Sequence, residues 1–386
     1  MKFPQLPEFS RRQLLAAAAC APLWPALALA DTGNTESQVL VKRPLQFPRD
    51  LGSHPDTAIE WWYVTGELQA KERLFGFQLT FFRSRVPSTQ AMRSGFAAKQ
   101  LFFAHTAVTD VAGQRLLHDQ RIARSSGDSS IDLAQASEAD TDVRLRDWLL
   151  VRQGSRYQAK ASGEAFAFTL DLQETQPLLL QGDQGLSRKG PLASQASFYY
   201  SLPQLRVSGQ LTLAGQPMQV TGRAWLDHEW SQSIMPPQAV GWDWIGMNLT
   251  DGGALTAFRL RDKTGDTVWA GGSWRPAGSA QPVVLTPDQV IFRPERFWKS
   301  QSSGATYPVQ WSLLILGPPG TSGTQALAAA PLTLTVRALI DDQELDSSRS
   351  TGAIYWEGLS DLLNAQGQPV GRGYLEMTGY VKPLQL

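Results

Sequence analysis

The strongest constraint on the fold is a succession of strand-length apolar runs broken at turn residues, with no long segment keeping a helical period. "WWYVTGELQAKERLFGFQLTFFRSR" is two β-rich runs hinged at Lys71-Glu72. Similar pairs turn near Ala112-Gly113 and at Ala214-Gly215-Gln216. Short strands separated by Gly- and Pro-containing turns at regular spacing favour a barrel or sandwich. Only "DLAQASEAD" leaves room for a turn or two of helix.

The runs repeat. With Trp61 placed over Trp242 and no gaps, Tyr63 meets Trp244, Val64 meets Ile245 and Leu68 meets Leu249, and the match continues to Phe77 over Phe258 and Leu79 over Leu260. "GRAWLD" (Gly222–Asp227) then matches "GRGYLE" (Gly371–Glu376) in the same order. Each half opens on an aromatic hairpin and closes on Gly-Arg-x-aromatic-Leu-acid, which predicts two similar units. The expected fold is all-β, two tandem β-barrels over residues 51–232 and 233–386, joined near "SQSIMPPQAV". Residues 31–50, polar and Pro-punctuated, read as an extended arm.

The N-terminus carries Ser10-Arg11-Arg12 and an apolar stretch ending in Ala28-Leu29-Ala30, the pattern of a twin-arginine signal peptide over residues 1–30. Its removal predicts a periplasmic or secreted protein; a lipoprotein anchor at Cys20 is the weaker alternative. Cleavage leaves 32 basic and 34 acidic residues and takes away the single cysteine. The remainder has no disulfide, thiol nucleophile or thiolate metal site. Balanced charge argues against nucleic acid, which needs a basic patch. No later run reaches the ~20 apolar residues of a membrane span.

Side chains alternate across a strand. In "GRAWLDHEW", Leu226, His228 and Trp230 share one face and Trp225, Asp227 and Glu229 the other; either can line a cavity. Arg372, Tyr374 and Glu376 share a face in the closing strand, and Glu60 shares one with Trp62. Glu60 reads either as a buried acid of raised pKa or as a strand-edge carboxylate. His105, in "FFAHTAVTD", reads more naturally as a satisfied core histidine than as a catalyst; His54 and His118 receive no role. The frameworks for other chemistries are absent: no Gly-x-Ser-x-Gly elbow, no His-Glu-x-x-His and no phosphate-cradling glycine motif. No metal centre is expected.

At "HPDTAIEWWYVTGEL", "FAHTAVTDV", "FYYSLPQL", "GRAWLDHEWS" and "TGAIYWEG…GRGYLEMTGY" the chain resembles the AttH family, relatives of carotenoid 1,2-hydratase. The resemblance implies two lipocalin-like barrels and no cofactor. It also implies hydration of an isolated C=C bond, in which an acid protonates the alkene, aromatic rings stabilise the cation and water captures it. Carried over, it points to Asp227 or Asp243 as proton donor, His228 as its partner or water-activating base, and Trp230 with Trp242 or Trp244 as the cation-stabilising wall. Glu60, Trp62, Tyr63, His105, Tyr374 and Glu376 complete the candidate ligand-binding set. The leading expectation is an exported protein binding a hydrophobic or amphipathic small molecule and catalysing acid-type addition or isomerisation. The alternatives are a non-catalytic carrier serving an envelope transporter and, more weakly, a secreted hydrolase.

Overall fold

The structure is a computed structural model that describes residues 40–384 except Ile234 and residues 318–330. The signal peptide expected over 1–30, with Cys20, and the first part of the arm lie outside the described residues. No described helix is long and apolar enough to cross a membrane. Every described regular element is a strand or a three-residue 3-10 turn. The stretch read as possible helix holds the short strand Ala134–Ala136 instead.

Two antiparallel sheets result. The first has 13 strands, and its main path begins Arg115–Ser125, Gln100–Asp110, Arg73–Arg85, Ile59–Ala70, Gln216–Ser233, Ala196–Leu213. It continues Phe166–Gln173, Arg156–Ser162, Trp148–Gln153, Asp142–Leu145, Ala134–Ala136. Its end strands, Arg115–Ser125 and Ala134–Ala136, come back against one another without a ladder, so the sheet is nearly a closed barrel. Local chemistry sets the hairpins: Lys71 (φ 53°) and the pair Ala214 (φ 47°) and Gly215 (φ 77°) take the left-handed conformations tight turns require.

The second sheet corrects the expectation of tandem barrels. Its ten strands run from Val283–Leu285 through Gly241–Leu249 and Pro369–Met377 to Val290–Lys299, and no ladder joins the two ends. It is open rather than closed. The sequence repeat covers a hairpin and a closing strand, whereas closure depends on strand number and stagger around the whole circuit.

Where the repeat does apply, it holds to the residue. Tyr63 stands opposite Asp227 as Trp244 stands opposite Glu376, and Thr65 opposite Trp225 as Gly246 opposite Tyr374. The glycines of the closing strands allow the approach. A Cβ at Gly222 would meet the Glu67 carbonyl oxygen at 1.9 Å, and one at Gly373 the Gly246 carbonyl oxygen at 1.9 Å. Gly222→Ala is therefore expected to cost about 1–3 kcal/mol, as overpacking does, read as a lower urea midpoint at unchanged slope.

The tryptophans are largely spent on the cores. Trp62, Trp148 and Trp230 fill the first sheet's inner face with Phe75, Phe77 and Tyr157; Trp311 and Trp356 do the same in the second. The inner face of the first sheet is thus lined by buried rings. The outer faces of the two sheets meet, with Tyr63 and Trp225 against Trp244, Phe258, Leu359 and Tyr374. Gln204 fastens this seam: its N–H donates to Asn248 Oδ1 (2.7 Å) and its side chain to the Gly253 carbonyl (2.7 Å).

Candidate functional site

The space for a ligand lies in that seam. A cavity of about 260 Å³ is walled from the first sheet by Trp61, Tyr63, Phe82, His105, Tyr199, Asp227 and Glu229, and from the second by Trp242, Trp244, Phe258, Tyr355, Glu357 and Glu376. It combines aromatic faces with these four carboxyls and that of Glu60, the combination of apolar surface and a few converging polar groups expected of a binding site.

The four acids differ by environment. Glu229 is paired, with Lys189 Nζ at 2.9 Å and the Ser197 hydroxyl donating to it. Asp227 has no cation beside it among the described residues. Ser201 Oγ (2.5 Å) and Trp225 Nε1 (2.7 Å) both donate to its Oδ1, and burial pushes its pKa up to about 7. The Tyr199 hydroxyl is a third group drawn to this carboxyl. Glu357 and Glu376 are directly opposite on neighbouring strands; burial, and for Glu357 the neighbouring Glu376, raise both. His105 is driven the other way, to about 3, by burial, so its imidazole is neutral; its ring nitrogens lie 2.8 Å from the Tyr355 hydroxyl and 2.9 Å from Ser350 Oγ.

Protonated acids of this kind favour the folded state fully below their unfolded pKa, near 4, and that contribution is lost as pH rises through the folded value. Glu376→Gln is therefore expected to raise the melting temperature more at pH 8 than at pH 5. A pH-independent effect would refute the protonated state.

His228 lies on the opposite face, inside the barrel. Its Nε2 is 2.9 Å from Glu60 Oε1 and its Nδ1 3.1 Å from the Tyr200 hydroxyl. His54 Nδ1 reaches the same Glu60 oxygen at 2.9 Å, and His54 Nε2 lies 3.0 Å from Asp50 Oδ1. Arg83 Nε donates to Glu60 Oε2 (2.8 Å) and Arg43 holds Asp50 (2.6 Å). Trp62 stacks on His228 (4.7 Å) and Trp230 on His54 (3.8 Å). Burial lowers His228 to about 4, leaving it neutral, while the donors around Glu60 outweigh its desolvation and hold it well below the usual carboxylate range.

His54, Glu60 and His228 bring three ligating atoms within 4.8 Å of one another. Glu60 already accepts from Ser53, the His54 N–H and Arg83, however, and the carboxylates of Glu60 and Asp50 are each balanced by an arginine. A dication would add unbalanced charge beside Arg83, so the donor set fits a buried hydrogen-bonded strut better than a metal centre.

Asp227 and Asp243, the alternative proton donors, and His228, the expected partner or base, thus occupy three separate places. Asp243 is on the inner face of the second sheet, held by Arg259 Nε (2.7 Å) and the Tyr380 hydroxyl (2.9 Å). Trp230 and Trp62 pack inside the barrel, and Glu60 sits where the barrel network borders the cavity. Tyr63, His105, Trp242, Trp244 and Glu376 line the cavity; Tyr374 packs in the seam beside it. Glu357, Lys189, Tyr199 and Tyr355 were not among the expected site residues, and Glu229 was marked only by the strand face it shares with Asp227. A signal for Glu357 was present: Tyr355-x-Glu357 repeats the aromatic-x-acid spacing of Trp225-x-Asp227 and Tyr374-x-Glu376, which puts ring and acid on one face.

Fold and cavity define a class: an all-strand protein with a cavity between the backs of two sheets, walled by aromatic rings and by carboxyls whose pKa burial raises. The chain belongs to the AttH-like family, whose profile matches residues 38–380. It is similar to the crystal structure of an AttH protein from Nitrosomonas europaea, with 45% identity over 89% of this chain and 99% of that one and a TM-score of 0.79. Kievitone hydratase from Nectria haematococca shares the fold at 15% identity, over 83% of this chain and 88% of that one, with a TM-score of 0.62. No curated protein matches the chain significantly.

Proposed function

We propose that the protein binds an apolar or amphipathic small molecule in the cavity between its sheets and adds water to, or shifts, a C=C bond by acid catalysis, with Asp227 as proton donor. The observation that supports this most is a carboxyl held protonated near neutral pH by burial, with one oxygen pinned by two donors, in a wall of aromatic rings. An alkene offers no polar handle, so the donor must keep its proton until the alkene arrives. Resemblance to carotenoid 1,2-hydratase, and the fold shared with an enzyme named a hydratase, agree with this chemistry.

The step balances without a cofactor. The alkene π pair takes the proton from the Asp227 carboxyl, forming a C–H bond and a cation on the other carbon. Trp244, Trp242, Trp61 and Tyr63 offer ring faces to that cation, worth ~2 kcal/mol or more each where water is excluded. A water oxygen then forms the C–O bond and returns a proton to the Asp227 carboxylate. Loss of a proton from an adjacent carbon instead gives the isomer. His228 would act at a distance, as part of the network that holds Glu60 and the strand facing Asp227. Export through the segment at 1–30 would place this activity in the periplasm or outside the cell.

The test is native mass spectrometry of the exported protein to identify the co-purifying compound, followed by incubation of that compound with the protein in D2O. Carbon-bound deuterium in the product is expected. A compound that binds but never exchanges carbon-bound hydrogen would make the protein a carrier.

A further inference from the structure

Two polar atoms of the cavity wall lack a well-formed hydrogen bond among the described residues. They are Tyr63 Oη and Glu357 Oε1, both buried. Their neighbours are tied down: Asp227 by Ser201 and Trp225, Glu229 by Lys189, Tyr355 by His105. Tyr63 comes from the first sheet and Glu357 from the second, and the phenol and the carboxyl face each other at the margin of hydrogen-bonding range, with Tyr355 beside them. Tyr63 also stands directly opposite Asp227 in the strand register.

Buried donors and acceptors in folded proteins nearly always find partners, because an unmatched one carries its full desolvation penalty. Packing alone gives no reason to put a phenol and a carboxyl here, since Phe and Leu fill similar volume without that penalty. An arriving ligand resolves it. A neutral carboxyl and a phenol are donors that also accept, so together they match a hydroxyl, a phenol or a carbonyl, and they offer nothing to a hydrocarbon. At about 260 Å³ the cavity is just below the ~300–1,000 Å³ usual for ligand sites, which points to a compact molecule.

We propose that Tyr63 and Glu357 form a hydrogen-bonding subsite for an oxygen of the bound molecule, so that the ligand class is a compact oxygenated apolar compound and not a pure hydrocarbon. This deepens the reading of the cavity as the ligand site. The oxygen is held beside Asp227, which fixes the remaining apolar part of the ligand relative to the proton donor.

The experiment compares two probes that differ only by a hydroxyl, 4-butylphenol and butylbenzene, by calorimetric titration of the full protein. In a merely greasy cavity the hydrocarbon binds better, because nothing repays desolvation of the hydroxyl. The subsite reverses that order: the phenol should bind roughly tenfold more tightly to the wild type. Tyr63→Phe keeps the ring and should bring the ratio to unity or below while leaving butylbenzene affinity unchanged; Glu357→Met gives the second, independent reading. An equal or inverted ratio in the wild type overturns the proposal, as does a ratio that survives both substitutions. Only affinity ratios are read, so failure here leaves acid catalysis standing; that reading fails separately, through turnover unaffected by substitution of Asp227.

Discussion

Asp227→Asn is expected to lower turnover about 10³-fold, the middle of the range for loss of a general acid, with ligand affinity nearly unchanged. The amide is isosteric, and its oxygen still accepts from Ser201 Oγ and Trp225 Nε1, so a folding defect is not the cause. Stability should move the other way. A neutral Asp227 supports the fold fully below its unfolded pKa of about 4 and loses that contribution as pH climbs through about 7. The neutral amide avoids the loss, so the variant should gain on the wild type above pH 7, by roughly 4 kcal/mol at most. Wild-type turnover should likewise fall above about pH 7 as the donor ionises. Turnover within tenfold of wild type, or a variant with no stability gain at pH 8, would remove Asp227 from the role of acid.

The second large effect belongs to the network inside the barrel. Arg83 is almost fully buried and donates to Glu60, to the His54 and Thr57 carbonyls, to Thr57 Oγ1 and to Gln100. Arg83→Met strips the buried Glu60 carboxylate of its counter-charge and is expected to cost about 3–5 kcal/mol, or roughly 10 °C in melting temperature. Adding Glu60→Gln should recover part of this, because the stranded charge is then gone. A loss under about 1 kcal/mol, or no recovery in the pair, would show that the ion pair is not what holds the arm at Asp50 and His54 to the barrel.

The two effects separate groups that lie next to each other in the chain. Asp227 and His228 are neighbours, yet one belongs to the cavity and the other to the barrel interior, where it binds Glu60 and not Asp227. Alternation along a strand already implied the separation. What alternation does not say is which face meets solvent, a core or a second sheet, and both faces of Gln216–Ser233 turn out to be buried at this point.

Hairpins, strand faces and the correspondence of the two halves were determined by the sequence alone, because turn conformation and two-residue alternation are local properties. The pairing of Tyr63 with Asp227 and of Trp244 with Glu376 follows the same repeat. Closure of one sheet and not the other, the lining of the barrel's inner face by its tryptophans and the meeting of the sheets back to back were decided only by tertiary structure. So was the partner each acid meets. Asp227, Glu229 and Asp243 are all buried carboxylates; a lysine reaches one, arginines another and no cation among the described residues the third, and those partners lie 16 to 40 residues away in the chain.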